Sequence, residues 1–517
     1  MKNKYLVATL CTLFVMLFAT SISSHAATEN QVGQITKSTA KIYKSASKKA
    51  KATTVNTADL QRTFYVRESK KADNTTYYRL YKSTTSIGWV DKKMLKLSKR
   101  TVLSKEKKTM YVMTSGYAST MPAGTSANRS YDLTKYRAKS IAVERHEKVG
   151  TTEWYKGRIA GTTKLRWVKA DALTTNGFVS VDLRKPSNVT AKDLQALLLA
   201  KGKTPTNVLY RLAPEFIKAQ ASTGVSAQFM FAHAALETGW GSSTIAQYKN
   251  NLFGYQAYDT CPITCSKYFP HGEAGLKLYA SKIVNNYLVT SGAYYNGKTV
   301  LDMNVRYATD PAWGQKIANI MQQIKPFKSS YYAKVKASTK KVVASTDYGS
   351  VIPAGKATPA AFVKMPTAVK GTVSASSAVI YSIPYTYAPR LGSYKKGKTM
   401  TIQAYHTDVK EFTNSSNGKS RWYRIAYNGT QGWVRSDQVK TTNLAFTSVD
   451  STLRSGAGTK YTKVGSAVKN TPLKLVISSG KVVTKKDTAK KVWYQAYHPS
   501  APSKKLWIRS DLVTIYR

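Results

Sequence analysis

The chain has 517 residues, and its 80 Lys and Arg residues against 26 Asp and Glu residues give a formal net charge of +54. This length predicts several domains, and a hydrophobic content of 42% with 35 Tyr and 9 Trp excludes a disordered polycation. So large a positive charge argues against an ordinary cytosolic metabolic enzyme and indicates a polyanionic partner, namely nucleic acid, anionic lipid or an anionic wall polymer.

The first predicted element is a secretory signal peptide over residues 1–26. Lys2 and Lys4 precede an apolar run from Leu6 to Ala19, and Ser24-His25-Ala26 supplies small residues for cleavage. The alternative is an uncleaved membrane anchor, but the run is short for a span. We therefore expect a secreted protein with no membrane span after signal cleavage, and such a protein is not expected to bind nucleic acid.

Four similar segments, each about 70–80 residues long, form an internal repeat. In each, an aromatic pair is followed 11–14 residues later by Trp and a β-branched residue. Aromatic and β-branched runs bounded by turn dipeptides such as Asn-Gly predict short strands in hairpins. The repeats are therefore predicted to be small β-barrels, whose cores include Trp89, Trp167, Trp433 and Trp507. They lie at 30–98, 99–175, 365–442 and 443–517.

The region between the second and third repeats, 178–328, has a different composition and periodicity. It holds 16 basic and 8 acidic residues, so most of the positive charge lies in the repeats and linkers. Its long segments have helical spacing. Residues 329–364 are rich in Lys, Ser, Thr, Ala and Val and are predicted to be a linker.

Glu237 is the main candidate catalytic residue. Ser226 is a good helix N-cap, an apolar helix follows, and Gly239 is a good helix stop, so Glu237 lies in the last helical turn. Burial and the negative end of the helix dipole are both expected to raise its pKa. A carboxylic acid that stays protonated is what glycosidic bond cleavage requires, because the leaving oxygen must receive a proton. The alternatives are a solvated surface Glu and a structural ion pair.

Three ordered motifs resemble glycoside hydrolase family 73, the bacterial endo-β-N-acetylglucosaminidases of the lysozyme-like superfamily. They are Ala-His-Ala-Ala-Leu-Glu-Thr-Gly-Trp-Gly-Ser-Ser (232–243), Asn-Asn-Leu-Phe-Gly-Tyr (250–255) and Arg-Tyr-Ala-Thr-Asp-Pro (306–311). The resemblance implies an α-rich lysozyme-like catalytic domain at 178–328 that cleaves the β-1,4 bond on the reducing side of GlcNAc in peptidoglycan. It also implies that Glu237 is the essential acid and that Tyr307 belongs to the site.

A second carboxylate is less clearly defined by the sequence. Glu273 is the best candidate for a base or nucleophile, because it is predicted in the first turn of a helix, where the dipole favours the ionised form. The alternative is a Glu that only stabilises the helix start. A third route needs no protein base, because the substrate's own 2-acetamido group attacks the anomeric carbon while Tyr307 steadies the geometry.

The repeats resemble the GW modules of Gram-positive cell-surface proteins, which are SH3-like barrels. The resemblance rests on the Trp-Tyr…Gly-Trp-Val pattern in four copies and on their basic character. It implies retention on the wall through lipoteichoic acid or wall teichoic acid. The predicted fold is therefore a multidomain protein in which small β SH3-like barrel repeats flank the α-rich domain.

The remaining candidate residues are aromatic and amide side chains that could contact sugar rings, and a cysteine pair. The candidate substrate-binding residues are Asn251, Tyr255, Phe253, Trp240 and Trp313, although each could instead be structural. Cys261 and Cys265 are predicted to form a short disulfide, which an oxidising compartment permits. We predict no metal site and no cofactor.

Two other functions compete with a wall-bound glucosaminidase, or autolysin. One is a non-enzymatic adhesin whose lysozyme-like domain is inactive, and the other is a muramidase, because the bond that is cut is not readable from these residues. A peptidase or amidase fits poorly, since the sequence lacks a Cys–His pair or clustered zinc ligands.

Overall fold

The computed structural model describes residues 30–343, 348–352, 362–386, 388–407, 421–499 and 501–516. The chain forms two compact units, Met1–Thr175 and Asn176–Arg517. The predicted signal peptide and parts of the predicted linker lie outside the described residues. Within the described ranges, no helix combines the length and apolar character needed to cross a membrane.

The N-terminal unit is an antiparallel sheet of 14 strands that spans the first two predicted repeats. The strands are β1 (Gln31–Ile35), β2 (Lys41–Tyr43), β3 (Ala52–Thr54), β4 (Thr63–Ala72), β5 (Thr75–Lys82), β6 (Thr85–Asp91), β7 (Leu95–Ser104), β8 (Lys108–Val112), β9 (Tyr117–Ser119), β10 (Arg129–Asp132), β11 (Ser140–Val149), β12 (Thr152–Ile159), β13 (Arg166–Lys169) and β14 (Leu173–Thr174).

The predicted hairpins are present, but the described strands do not close into the predicted SH3-like barrels. Asp73 and Asn74 both have positive φ, +48° and +59°, which suits the two-residue turn between β4 and β5. Strand β7 crosses the predicted boundary between the repeats, because its first half pairs with β1 and its second half with β11. A shared strand joins the two repeats edge to edge, so they form one continuous sheet.

The second unit begins with eight described α-helices. They are α1 (Ala191–Ala200), α2 (Val208–Thr223), α3 (Ala227–Glu237), α4 (Thr244–Lys249), α5 (Gly272–Ile283), α6 (Val300–Tyr307), α7 (Trp313–Ile324) and α8 (Ser329–Lys334). A π-helical segment, Val284–Leu288, continues α5. Helix α3 packs against α2 and α7, and it is buried nearly all round rather than on one face only.

The C-terminal part of the second unit consists of antiparallel strands. The third repeat is a seven-stranded sheet of β15 (Phe362–Val373), β16 (Ser377–Tyr381), β17 (Arg390–Lys395), β18 (Thr399–Thr407), β19 (Arg421–Tyr427), β20 (Thr430–Arg435) and β21 (Val439–Thr441). The fourth segment holds β22 (Leu444–Thr447), β23 (Ser451–Arg454), β24 (Lys463–Ala467), β25 (Pro472–Lys474), β26 (Ile477–Ser478), β27 (Lys481–Val482), β28 (Thr484–Lys486), β29 (Val492–His498), β30 (Ala501–Arg509) and β31 (Val513–Tyr516).

The repeated Trp residues lie on the opposite face of their strands from the core of each repeat, contrary to prediction. In the third repeat the core contains Tyr423 and Val434, whereas the preceding residues Trp422 and Trp433 belong to a separate cluster. The second repeat divides its residues in the same way. Since successive side chains of a strand alternate between faces, a Trp-Tyr or Trp-Val pair places the two residues on opposite sides.

Neighbouring elements cover this Trp face in the two inner repeats. Trp433 is 0% exposed and packs in a cluster with Tyr248 and Tyr268 of the helical region. Trp167, 2% exposed, lies in a cluster with Val32 of the first repeat. The corresponding Trp89 and Trp507 are only partly buried. The Trp face of the second repeat therefore packs against the first repeat, and that of the third repeat packs against the helical region.

We expect Trp433→Ala to destabilise the second unit more than the matched substitution Trp507→Ala. Removing a fully buried Trp costs about 3–5 kcal/mol, whereas Trp507 is only partly buried and loses less packing. Denaturant unfolding of the full chain, followed by far-UV circular dichroism, measures both variants. Equal destabilisation would show that Trp433 does not support the contact with the helical region.

Candidate active site

Helix α3 carries Glu237 as its last residue and exposes it at the end of a buried helix. The backbone N–H of Phe229 donates to Ser226 Oγ at 3.3 Å, so Ser226 caps the helix start as predicted. At the other end Thr238 Oγ1 accepts from the N–H of Gly241 at 2.8 Å. Gly239 and Gly241 have φ of +55° and +79°, a region that glycine adopts without strain. This turn ends the helix immediately after Glu237 and leaves 35% of its side chain exposed.

His233, one helical turn before Glu237, is its direct hydrogen-bond partner. His233 Nε2 lies 3.0 Å from Glu237 Oε1, and His233 Nδ1 lies 2.5 Å from the hydroxyl oxygen of Tyr279 on α5. His233 is completely buried. The partners of this buried histidine are therefore the candidate acid and a buried tyrosine. The i, i+4 spacing of the two residues is the signal that could have revealed this contact.

Aromatic rings from four segments surround His233. The ring centroids of Phe253, Tyr279, Tyr307 and Trp313 lie 5.0–5.5 Å from that of His233. Phe253 stacks on Tyr279 with a centroid separation of 3.6 Å. The structure thus brings Tyr307, Phe253 and Trp313 together around the helix end that carries Glu237.

The pKa of Glu237 is lowered, not raised as the sequence predicted. The hydrogen bond from His233 is the largest cause and stabilises the carboxylate, while burial opposes it. Trp313 Nε1 is buried without a hydrogen bond of normal geometry, yet it is close enough to lower the pKa of Glu237 further. Burial and the Glu237 carboxylate both raise the pKa of Tyr307, so its phenol stays protonated and can donate.

A cleft of about 300 Å³ adjoins this site. Its lining includes the candidate residues Asn251, Phe253, Tyr255 and Tyr307, together with Tyr279 and Tyr287. Asn251 is buried, and its side chain holds a turn: Nδ2 donates to Tyr255 O at 2.8 Å, and Oδ1 accepts from Tyr255 N at 2.9 Å. Asn251 therefore shapes the cleft wall, whereas the rings of Phe253, Tyr255 and Tyr307 form its apolar surface.

Trp240 lies apart from the aromatic group. Lys201 Nζ is 5.3 Å from the centroid of the Trp240 ring, and the backbone carbonyl of Trp240 accepts a hydrogen bond from Asn207 Nδ2 at 3.0 Å. These contacts tie Trp240 to the ends of α1 and α2, so it does not join Phe253, Tyr307 and Trp313.

Glu273 has a lysine of its own helix as its partner. It forms an ion pair with Lys277, with Oε1 and Nζ 2.8 Å apart, and this contact lowers the pKa of Glu273. Gly275, Leu278, Tyr279 and Lys282 of the same helix line the cleft. At 100° per residue, Glu273 and Lys277 lie on the opposite side of α5 from these residues.

Most other carboxylates of the helical region have structural partners. Asp193 and Asp302 complete capping boxes, Asp182 accepts from Arg184 N, Glu215 pairs with Lys218, and Asp310 pairs with Lys316. Asp259 is exposed in the loop that follows Tyr255. Among the described residues, no three His, Cys, Asp or Glu side chains are grouped as metal ligands.

A loop closed by a disulfide between Cys261 and Cys265 lies beside the cleft wall. The ammonium group of the buried Lys249 holds this loop by donating to Ser266 O at 2.8 Å and Ile263 O at 2.5 Å. Burial lowers the pKa of Lys249 to about 8. Ile263 also packs against the cluster that contains Trp433, so the loop connects the cleft wall to the third repeat.

A second candidate site is a basic cleft of about 610 Å³ in the N-terminal unit. Seven cationic side chains line it: Arg62, Arg67, Lys82, Arg100, Arg145, Lys156 and Arg166. Asp59 pairs with Arg62 and Lys82, Glu147 with Arg100 and Arg145, and Glu144 with Lys156. Three carboxylates for seven cations leave the cleft with a net positive charge that suits a polyanion.

A carboxylic acid at the end of a buried helix, flanked by aromatic rings and an apolar cleft, is an arrangement suited to a glycoside hydrolase. Residues 213–326 match the glucosaminidase family, described as "Mannosyl-glycoprotein endo-beta-N-acetylglucosaminidase". Residues 24–96, 98–174 and 365–440 match the GW (Gly-Tryp) dipeptide domain. The helical region thus matches the glucosaminidase family, and three further segments match the GW domain. The fourth predicted repeat, 443–517, lies outside the matched ranges and stays a prediction.

Two similar proteins from Streptococcus pneumoniae strains carry the name "Putative endo-beta-N-acetylglucosaminidase". Each is 36% identical over 149 residues, which is 29% of this chain and 22% or 21% of the relative. This chain therefore spans about a fifth of the length of these relatives.

Solved structures of bacterial autolysins overlap part of the chain. A catalytic mutant of Staphylococcus aureus autolysin E, in complex with the disaccharide NAG-NAM, is 19% identical and covers 34% of this chain and 86% of that chain, with a TM-score of 0.21. A Listeria monocytogenes structure described as a "putative autolysin" is 20% identical and covers 29% of this chain and 65% of that chain, with a TM-score of 0.18. TM-scores this low do not relate the folds residue by residue.

Proposed function

We propose that this protein is a secreted peptidoglycan hydrolase of Gram-positive walls that cleaves the β-1,4 bond on the reducing side of GlcNAc. The observation that carries the proposal is the position of Glu237. Its side chain is partly exposed at the end of a buried helix, near Tyr307, Phe253 and Trp313. The glucosaminidase match over 213–326 supports the same reaction class.

In the proposed mechanism Glu237 is the general acid. The substrate's 2-acetamido oxygen attacks the anomeric carbon, the glycosidic bond breaks, and the proton of Glu237 passes to the leaving oxygen. Water then opens the resulting oxazolinium ion and returns a proton to Glu237. This route is favoured because Glu273 is paired with Lys277 on the far side of α5. The buried phenol of Tyr307 is placed to steady the acetamido group.

Wall retention is the proposed role of the basic repeats. The partner is an anionic polymer, lipoteichoic acid or wall teichoic acid. The basic cleft of the N-terminal unit supports this partner, because its seven cations are only partly neutralised by neighbouring carboxylates.

Digestion of purified peptidoglycan tests the reaction. After borohydride reduction and mass spectrometry of the new ends, we expect reduced GlcNAc, and NMR of the fresh product should show retained anomeric configuration. Reduced MurNAc ends would make the protein a muramidase. Inverted configuration would exclude the acetamido route, and the absence of new ends would favour the adhesin.

A further inference from the structure

The hydrogen bonds around His233 have one consistent direction when Glu237 is ionised. A carboxylate can only accept, so His233 Nε2 must carry the hydrogen that it shares with Oε1 of Glu237. His233 is completely buried and its pKa is lowered by burial, so the ring is neutral and Nδ1 has no hydrogen. Nδ1 therefore accepts from the hydroxyl of Tyr279, 2.5 Å away.

The same direction is favoured when Glu237 is protonated. If the proton were on Oε1, it would be donated to Nε2 and the histidine hydrogen would move to Nδ1. The Tyr279 hydroxyl would then have to accept, and its own hydrogen would lose its acceptor, since the described residues give this hydroxyl no other hydrogen-bond partner. An unsatisfied buried donor is unfavourable, so the original direction persists.

We propose that Tyr279 and His233 are positioning residues that hold Oε1 of Glu237 as an acceptor and thereby place the transferable proton on Oε2. This inference rests on the proposed role of Glu237 as general acid. Oε1 faces the buried histidine, so Oε2 is the oxygen left for the substrate. In this Tyr279–His233 relay, Oε1 of Glu237 accepts a hydrogen bond from the protein, and Oε2 carries the proton for the leaving group.

The other groups that face the site do not supply a competing charge. Tyr307 from α6 and Tyr287 from the π-helical segment act electrostatically on Tyr279, and burial raises the pKa of both. Trp313 from α7 does not titrate. No lysine, arginine or further carboxylate is among the described groups that shift the pKa of Glu237. The ionisation of Glu237 therefore responds chiefly to His233 and, through it, to Tyr279.

Tyr279→Phe is the sharpest test, because it removes one hydroxyl and retains the ring that stacks on Phe253. Without that hydroxyl, the two arrangements of the histidine hydrogen become nearly equal, so part of the protonated enzyme carries its proton on Oε1. With about half of the protonated enzyme in the competent arrangement, we expect kcat to fall about twofold. A general acid acts below its pKa, so a weaker hydrogen bond to the carboxylate moves the alkaline limb of kcat/KM to higher pH.

Three further variants separate positioning from packing. Tyr332→Phe removes another buried hydroxyl, which donates to Gln228 Oε1 over 3.4 Å and lies outside the site. This variant should leave kcat and the pH profile unchanged. His233→Gln keeps an N–H donor for Oε1 and should retain more activity than His233→Leu. Each variant is first compared with the unaltered chain by thermal unfolding.

The outcomes distinguish the relay from the proposed function. If Glu237→Gln is inactive but Tyr279→Phe has the kcat and pH profile of the unaltered enzyme, the relay is wrong and the general acid stands. Equal activity of His233→Gln and His233→Leu would also overturn the relay. If Glu237→Gln remains active, the proposed function itself fails.

Discussion

Replacing Glu237 by Gln is expected to reduce wall lysis by about a thousandfold, since a general acid contributes about 10²–10⁴-fold to rate. Gln has nearly the same shape and can still accept a hydrogen bond from His233 through its side-chain oxygen, but it has no acidic proton to give. The measurement is the turbidity loss of purified walls together with the yield of new reducing ends.

Binding to the wall supplies the control for Glu237→Gln. The basic cleft belongs to the N-terminal unit and Glu237 to the second unit, so the variant should sediment with walls as the unaltered protein does. Glu215→Gln is the matched substitution elsewhere in the helical region, where it removes only an ion pair with Lys218, and we expect full lysis from it. Lysis by Glu237→Gln at the unaltered rate would remove the general acid from the mechanism.

Glu273→Gln tests whether Glu273 is a base or nucleophile, or only stabilises the start of its helix. The ion pair of Glu273 with Lys277 on the far side of α5 predicts activity within a few-fold of the unaltered enzyme. A loss comparable to that of Glu237→Gln would restore Glu273 as base or nucleophile and exclude the acetamido route.

Local sequence signals predicted helix α3 well. A cap at Ser226, an apolar stretch and the glycines after Glu237 each act within one or two turns, so the helix and its end could be predicted without tertiary information. The pKa of Glu237 could not. Its largest cause is a hydrogen bond from His233, and the rule that burial raises a carboxyl pKa omitted this partner.

The β regions show a different limit. The hairpins were predicted because turn residues such as Asn428 and Gly429 specify them locally, with φ of +44° and +74°. Closure into a barrel depends on which distant strands pair, and strand β7 instead connects two repeats in one sheet. The face occupied by the Trp residues likewise depends on neighbours that no single repeat contains.

The packing of the third repeat also changes how wall retention should be tested. Deleting 365–517 removes the third repeat and the fourth predicted repeat and should weaken retention. Tyr248 and Tyr268 of the helical region share a buried cluster with Trp422 and Trp433, so the deletion would also expose apolar surface near the cleft wall. Point substitutions in the N-terminal unit avoid this effect.

The second large effect is expected when Arg67 and Arg166 are both replaced by Gln. Both line the basic cleft, and neither has a carboxylate partner among the described residues. Each lies over a tyrosine ring, Tyr81 at 4.9 Å and Tyr131 at 5.2 Å. By analogy with other polyphosphates, cations free to contact phosphate release counterions on binding. We expect wall affinity to fall about tenfold or more and the slope of log K against log salt to fall by about one to two.

The measurement uses the Glu237→Gln background, so that the walls stay intact during binding. Arg129→Gln with Arg137→Gln removes the same charge from the same unit outside the cleft, and Arg129 also lies over a tyrosine ring, Tyr117 at 4.3 Å. This pair should weaken binding only slightly.

Walls stripped of teichoic acid should bind all three proteins equally poorly, because the cleft then has no polyanion to contact. Equal losses for the two arginine pairs would mean that net charge, rather than the cleft, retains the protein. Salt-insensitive binding that survives removal of teichoic acid would instead indicate recognition of the glycan itself.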